Sequence, residues 1–445
     1  MTEEAAALEE KPGAGVVKEA PSLYFRWSVL LFVSLTVFGS YLAYDCIGPV
    51  TPMLKSLFSF DSKQIGLLYS IYSIPNIVMV FLGGYIIDRI GTRRAGLLYA
   101  SIVFIGTVMV ALAPSIHWLP SAITERLPAG WTPSFIWMLV GRFVFGIGSE
   151  SLIVAQSTIL GKWFREKELA LAFGINLSIS RLGTIAAFMT FGWVAERSHS
   201  VYPVLWTSVL FCAVAVLTFI IYIFLENIGQ KRYALSPDQA QDRITFADIA
   251  AFPPSFWYTS ALCVLFYSCI FPFTTFSTDF FCEKWHFDQT YGSRISSIIM
   301  IFSMICTPIF GALIDRYGKR GKAMMAGSLI LIPTYIIMGY TNIHPIFPMC
   351  IMGIAFSLVP AAMWPSLPLI IEESRLGTAF GLMTMIQNLG LAIFPFVIGW
   401  VRDCTGSYSA AMLVFSSLGV IGFVFSVLLT TAEKDRLEKG SVSVL

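Results

Sequence analysis

Long apolar runs alternate with short polar connections along almost the whole chain. A helix needs about 20 mostly apolar residues to cross the hydrocarbon core of a bilayer, so each long run predicts a membrane span. Twelve such runs cover residues 27–50, 65–87, 95–116, 135–160, 171–194, 204–225, 256–277, 292–314, 323–341, 346–371, 378–400 and 410–430. The pattern therefore predicts an all-α membrane protein with twelve transmembrane helices and with both termini on one side.

Composition and charge indicate the class of protein and its orientation in the membrane. Hydrophobic residues make up 56% of the chain and charged residues 13%, which excludes an ordinary soluble domain. If the termini are cytosolic, 20 of the 29 Lys and Arg fall in the tails and cytosolic connections, 7 in the opposite loops or at their edges and 2 deep inside spans. The positive-inside rule therefore predicts cytosolic termini. A net charge of +2 indicates no nucleic-acid partner.

The longest cytosolic connection divides the predicted spans into two sets of six. We predict a cytosolic tail at 1–26, a six-helix half at 27–225, a linker at 226–255, a second six-helix half at 256–430 and a cytosolic tail at 431–445. The halves also repeat each other, because GYIIDRIGTRR at 84–94 follows the second span and GALIDRYGKR at 311–320 follows the eighth. Repeated halves are typical of carriers that rock around a central site.

Acidic and basic residues stand side by side in both copies of this motif, as Asp88 with Arg89 and as Asp315 with Arg316. An Asp beside a helix end and basic side chains near it can latch neighbouring helices in one conformation. Membrane topology alone would explain the basic residues but not the repeated Gly and Asp. We therefore predict that these four residues form gating contacts or salt bridges.

Four ionisable residues lie inside predicted spans, where a charge costs about 2.5–3.5 kcal/mol on insertion scales and usually has a function. At about 1.5 Å per residue, Glu150 and Arg181 lie at one depth near the midplane. Asp45 and Arg142 lie nearer the outer face by the same count. We predict that Asp45 and Arg142 form a structural or gating ion pair. Glu150 and Arg181 are predicted to contact a substrate.

An arginine and a glutamate on one cavity are complementary to a zwitterion. The planar guanidinium of Arg181 matches a carboxylate, and Glu150 accepts hydrogen bonds from an ammonium group. Amino acids and peptides carry both groups, and in an empty site the two side chains can pair with each other. Three uncharged residues complete the predicted substrate site: Tyr72, Trp364, and Asn388, which occupies the position of Arg181 in the second half.

Motifs along the chain resemble those of the major facilitator superfamily: the repeated motif, and RFVFG at 142–146. The segment GRFVFGIGSESLIVAQ at 141–156 is similar to a branch of that superfamily that comprises lysosomal dipeptide uniporters. The resemblance implies the major facilitator fold, alternating access, and contacts of Glu150 and Arg181 with the two ends of a dipeptide. It also implies a lysosomal or vacuolar membrane and a glycosylated accessory membrane protein as a partner.

Location and transport mode stay open at this point. The acidic dileucine signal of animal relatives is incomplete in EAAALE at 4–9, so the plasma membrane is the alternative location. The first helix lacks the E-x-x-E-R motif that proton-coupled peptide symporters share, which favours a uniporter. The alternatives are an organic-anion or monocarboxylate carrier, a proton-coupled peptide symporter and a transporter-like nutrient sensor.

Catalytic chemistry has no support in the sequence. No nucleophile–base pair and no metal-binding spacing emerges, so we expect neither an enzyme nor a cofactor. Cys282 and Cys404 fall in non-cytosolic loops, where they could form a disulfide, but nothing in the sequence pairs them.

Overall fold

A computed structural model of the protein describes residues 22–120, 127–128, 130–164, 168–233, 252–372 and 375–438. In this part of the chain, eleven helices are long and apolar enough to span a membrane. The longest, Ser62–Leu112, has 51 residues, so an unbroken helix would extend about 77 Å, more than twice the hydrocarbon core. It breaks at Gly91, with φ 80° and ψ 157°, and therefore supplies two spans. The predicted fold class is confirmed.

The twelve spans are numbered here in chain order. They are α1 (Leu23–Tyr44), α2 (62–90), α3 (92–112), α4 (Pro133–Phe164), α5 (Leu169–Ser198), α6 (Tyr202–Arg232), α7 (Pro254–Trp285), α8 (Gln289–Tyr317), α9 (Arg320–Tyr340), α10 (Ile346–Met363), α11 (Leu376–Thr405) and α12 (Tyr408–Glu438).

Both copies of the repeated motif turn the chain at a glycine. Gly91 has φ 80° and Gly318 has φ 64°, a backbone region that is costly for residues with a Cβ. This requirement explains why glycine recurs at the same place in the two motifs. We call the membrane face that carries the two turns, residues 88–94 and 315–320, the basic face.

Several helix boundaries differ from the predicted ones, and two of these differences involve charged residues. Helix α1 ends at Tyr44, and Asp45 is its C-cap instead of lying inside the helix. Helix α6 continues to Arg232, well into the predicted linker. It continues because Glu226 is buried and paired, accepting from Trp163 Nε1 at 2.7 Å and lying 2.8 Å from Lys162 Nζ. Residues 1–21, 234–251 and 439–445 of the predicted tails and linker, including the segment 4–9, lie outside the described residues.

The two halves meet tightly at the end opposite the basic face, where α2 packs on α11 and α5 packs on α8. A Cβ on Gly66 would lie 2.1 Å from the Pro395 carbonyl oxygen, and one on Gly399 would lie 2.1 Å from the Ser62 carbonyl oxygen. The Asp403 carboxylate also accepts from the first backbone N–H groups of α2, favourably placed at a helix N-terminus. Backbone therefore touches backbone across the halves.

An ion pair reinforces this closed end. Lys55, on the short helix Thr51–Phe58, lies 2.5 Å from the Asp279 carboxylate on α7, and its ammonium is 3.3 Å from the Tyr408 hydroxyl on α12. We call Lys55, Asp279 and Tyr408 the clamp. It joins the N-terminal half to two helices of the C-terminal half.

Near the basic face, several glycines have free space around them. A Cβ built on Gly161, Gly174, Gly311 or Gly377 would meet no atom within 4 Å. The packing between the halves is therefore tightest at the end opposite the basic face, as in one of the two end states of an alternating-access carrier.

Candidate substrate site

A cavity of about 930 Å³ lies between the two halves. Its wall runs from Asp45 and Thr184, near the closed end, to Ser157 and Gly377, nearer the basic face. A mostly apolar wall with a few polar groups, in this size range, is typical of small-molecule sites. Because both halves contribute residues, a ligand in the cavity contacts both moving parts.

All five residues predicted to form the substrate site line this one cavity: Tyr72, Glu150, Arg181, Trp364 and Asn388. The first three come from the N-terminal half, and two of them, Glu150 and Arg181, are charged. The last two come from the C-terminal half, whose other lining residues include four aromatic side chains, those of Tyr267, Phe271, Phe356 and Phe380.

Glu150, on α4, is oriented by a hydroxyl group. Tyr72 Oη lies 3.4 Å from Glu150 Oε1 and 3.1 Å from Ser149 Oγ, and its single hydroxyl proton can be donated to either acceptor. The Tyr72 ring is itself held by Tyr44 and Phe145, with ring centroids 4.6 and 5.7 Å away. In the described structure Glu150 Oε2 accepts no hydrogen bond, and it remains available to a ligand.

Arg181, on α5, reaches across to the other half. Its Nη1 donates to Ser303 Oγ and, at 3.0 Å, to Thr307 Oγ1, both on α8. The guanidinium carbon lies 5.4 Å from the centre of the Phe356 ring, a cation–π contact. Among the described residues, Arg181 forms no ion pair with Glu150, so the pairing expected in an empty site does not occur in this conformation. The reason is that α8 holds the guanidinium.

Among the described cavity-lining residues of the C-terminal half, Asn388 has a buried polar atom without a partner. Asn388 Nδ2 donates to the Thr384 carbonyl one turn earlier, whereas its buried Oδ1 accepts from no described group. An unsatisfied buried acceptor costs roughly 1–3 kcal/mol, which a ligand N–H could offset. Trp364, in the turn after α10, uses its N–H on the Tyr267 hydroxyl at 2.9 Å and presents its ring beside Phe380.

The predicted ion pair between Asp45 and Arg142 is wrong for this conformation. Arg142 is 1% exposed and donates to the carbonyl oxygens of Tyr44 and Leu68, each at 3.0 Å. Asp45 instead accepts from Thr184 at 2.6 Å. The Tyr44 carbonyl ends α1 and lacks a helical partner, so the cation caps that helix end.

Arg142 therefore locks α4 to α1 and α2. Its guanidinium carbon also lies within 6 Å of four ring centres, those of Tyr44, Tyr69, Tyr72 and Phe145. Asp45 lines the cavity. A gating role of either residue stays a prediction.

The second copy of the repeated motif contains a salt bridge between α8 and α9. Asp315 lies 3.2 Å from Arg320, which also donates to the Pro365 carbonyl beyond α10. Arg316 packs over Tyr317, and Arg89 packs over Tyr85, with guanidinium-to-ring distances of 5.7 and 5.1 Å. Asp88 lies exposed at the end of α2. The latch role of these residues stays a prediction.

Several cavity residues were missed from the sequence. The aromatic wall includes Tyr41, Tyr267, Phe271 and Phe356. The available signal was a spacing of four residues, which places two side chains on one side of a helix. This spacing separates Tyr41 from Asp45 and Tyr267 from Phe271. Membrane helices contain many such pairs in ordinary packing. Cys282 and Cys404 are both free thiols.

Two helical halves that close around a cavity lined by opposite charges define a membrane transporter that works by alternating access. The model of the family described as Major Facilitator Superfamily matches residues 33–395 and 282–443. The chain belongs to the Major Facilitator Superfamily.

Several relatives from different animals share one name. The chain is 31% identical to the lysosomal dipeptide transporter MFSD1 of Homo sapiens over 439 residues, covering 96% of this chain and 91% of that protein. The protein of the same name from Danio rerio is 31% identical over 395 residues, 86% of this chain and 82% of the relative. The expected branch is thereby confirmed.

A solved structure has the same fold. It is the inward-facing, occupied form of a bacterial homolog of the human lysosomal transporter Spinster, with a TM-score of 0.70 at 16% identity. The match covers 92% of this chain and 98% of that one. At this identity the likeness shows the fold alone.

Proposed function

We propose that the protein carries dipeptides and similar short zwitterionic peptides across the membrane as a uniporter. The observation that carries the proposal is that Glu150 and Arg181 line one cavity without pairing with each other. Each charge therefore keeps hydrogen-bonding capacity for a ligand. The peptide carboxylate binds Arg181, and the peptide ammonium binds Glu150.

The different helices that hold the two charges favour a peptide over a free amino acid as the substrate. Arg181 is drawn towards α8, and Glu150 is drawn towards Tyr72 on α2. A free amino acid holds its ammonium and carboxylate on one carbon, whereas a dipeptide places a peptide unit between them. The unpartnered Asn388 Oδ1 can accept from an N–H of that unit. The names of the relatives in human and zebrafish support the same substrate class.

The location and direction belong to the same proposal. With the termini in the cytosol, the basic face is cytosolic and the tightly packed end of the described structure lies on the opposite side of the membrane. We place the protein in a lysosomal or vacuolar membrane, from which it exports peptides to the cytosol. The basic residues at the helix turns support this orientation, and the relatives' names support the membrane. A glycosylated accessory partner is part of the proposal through the family resemblance alone.

A second candidate is an organic-anion carrier. The hydrogen bond between Tyr72 and Glu150 favours it, because a carboxylate committed to a tyrosine could orient the site instead of binding a ligand. Arg181 alone would then bind the anion. The aromatic wall formed by the C-terminal half suits either substrate.

A thermal-shift screen tests the proposal. Purified protein is heated with alanyl-alanine, alanine or lactate, alongside the Arg181→Ala variant. The proposal expects stabilisation by the dipeptide in the wild type, weaker stabilisation by alanine and lactate, and loss of the dipeptide effect in the variant. Stabilisation by lactate but not by the dipeptide would favour the organic-anion carrier.

A further inference from the structure

Two hydroxyl groups behind the cavity hold the guanidinium of Arg181. Ser303 and Thr307 are one turn apart on α8 and accept the two hydrogen bonds that Arg181 makes to described residues. Neither residue lines the cavity, whereas Arg181 does. They therefore support the arginine from the side away from a ligand.

The direction of these bonds is fixed by the helix. The Thr307 hydroxyl donates its only proton to the Ser303 carbonyl at 2.6 Å, so its oxygen can act towards Arg181 only as an acceptor. Ser303 is fully buried, and a charged donor facing it in an apolar setting makes a strong hydrogen bond. The two hydroxyls thus form a preset receptor for one end of the guanidinium.

Both bonds start from Nη1, and this leaves the other edge of the guanidinium unused. Nε and Nη2 donate to no acceptor among the described residues, and Arg181 faces the cavity. These two nitrogens form the side-on edge that binds a carboxylate with two parallel hydrogen bonds. Phe356 covers one face of the guanidinium and restricts its rotation.

We propose that Ser303 and Thr307 are positioning residues that turn the Nε–Nη2 edge of Arg181 towards the C-terminal carboxylate of the substrate. The proposal rests on the proposed function and adds two residues of the opposite half to the carboxylate subsite. The hydroxyls do not compete with the substrate, because they bind the opposite end of the guanidinium. Their removal should therefore weaken carboxylate recognition and should not strengthen it.

The test compares a free and a blocked carboxylate. Calorimetry measures the Kd of alanyl-alanine and of its C-terminal amide for wild-type protein and for the double variant Ser303→Ala with Thr307→Ala. The wild type should prefer the free acid. The double variant should bind the free acid roughly tenfold more weakly, as expected for a lost hydrogen bond to a charged group, and the amide about as before.

Matched variants separate positioning from damage to the fold. Thr307→Ser keeps the hydroxyl and should keep the preference for the free acid. Ser357→Ala removes a neighbouring buried hydroxyl that bonds only to backbone carbonyls in the described structure, and it should leave both Kd values unchanged.

Three results would count against the proposal. Equal losses for acid and amide in the double variant would assign Ser303 and Thr307 a merely structural role. If the double variant keeps its preference for the free acid, or binds the free acid more tightly than the wild type, Ser303 and Thr307 do not position Arg181. Dipeptide transport would not be contradicted by that result. If the wild type binds neither compound, the proposed function fails together with this inference.

Discussion

The ammonium of Lys55 lies 2.5 Å from the carboxylate of Asp279, and this contact joins the two halves at the closed end. Both side chains are mostly buried, with exposures of 16% and 11%. Removing one partner of such a pair leaves an uncompensated charge, which is strongly destabilising for the conformation that buries it. The clamp should therefore set the population of the conformation that is open at the membrane face opposite the basic face.

Asp279→Asn should shift the protein towards the conformation open at that face. Spin labels at positions 56 and 405, in a chain whose eight native cysteines are replaced, report the separation of the halves. We expect a longer-distance population in the variant, corresponding to a shift of about 1–3 kcal/mol.

Asp288→Asn is the matched control, because Asp288 caps its own helix on the same face and asparagine keeps that role. An unchanged distance distribution in the Asp279 variant, or an equal shift in the Asp288 variant, would rule out the clamp.

The close backbone contact between α2 and α11 predicts the effect of a second set of substitutions. Gly66→Ala should place its Cβ against the Pro395 carbonyl oxygen, which cannot move without displacing α11. The same spin labels should report separated halves, and dipeptide uptake should fall at least tenfold. Gly377→Ala adds its Cβ to open space and should leave the distances as in the wild type. Wild-type distances in the Gly66 variant would contradict the described packing.

Glu150→Gln separates the two candidate functions. The variant retains the shape of the site and the Tyr72 hydroxyl but loses the negative charge that binds an ammonium group. Uptake of alanyl-alanine should fall about tenfold or more, since hydrogen bonds to charged groups contribute roughly 1.5–3 kcal/mol. Lactate uptake that persists in the variant, together with wild-type lactate transport exceeding that of the dipeptide, would support the organic-anion carrier.

If the protein is a uniporter, a proton gradient should not drive accumulation of the dipeptide. Helix α1 contains no acidic residue, and its C-cap Asp45 is bound to Thr184, so the coupling motif of proton-driven peptide carriers is missing. Proteoliposomes with an imposed pH gradient should equilibrate labelled dipeptide without concentrating it, and a protonophore should not alter the final level. Accumulation above the external concentration would favour the symporter.

The length of the apolar runs was enough to predict the spans, because the cost of exposing backbone to lipid leaves few other structures. Repetition predicted the two halves, and depth along α4 and α5 predicted that Glu150 and Arg181 share a level. Contacts between the halves could not be predicted. The bonds of Arg181 to Ser303 and the pairing of Lys55 with Asp279 join residues more than a hundred positions apart.

Local geometry explains why the predicted ion pair between Asp45 and Arg142 does not form in the described conformation. Counting residues placed Asp45 and Arg142 at one depth, but depth does not give direction around a helix. The early end of α1 at Tyr44 creates an unsatisfied carbonyl, and Arg142 binds that carbonyl in preference to the carboxylate. Sequence periodicity did not reveal where the helix would stop.

Counterflow tests the central claim most directly. Liposomes containing purified protein are loaded with unlabelled alanyl-alanine and diluted into a trace of the labelled dipeptide. The wild type should transiently concentrate the label, whereas Arg181→Ala and Glu150→Gln should not, although both remain folded by thermal unfolding. Absence of counterflow in the wild type, or its persistence in both variants, would contradict dipeptide transport through the cavity between Glu150 and Arg181.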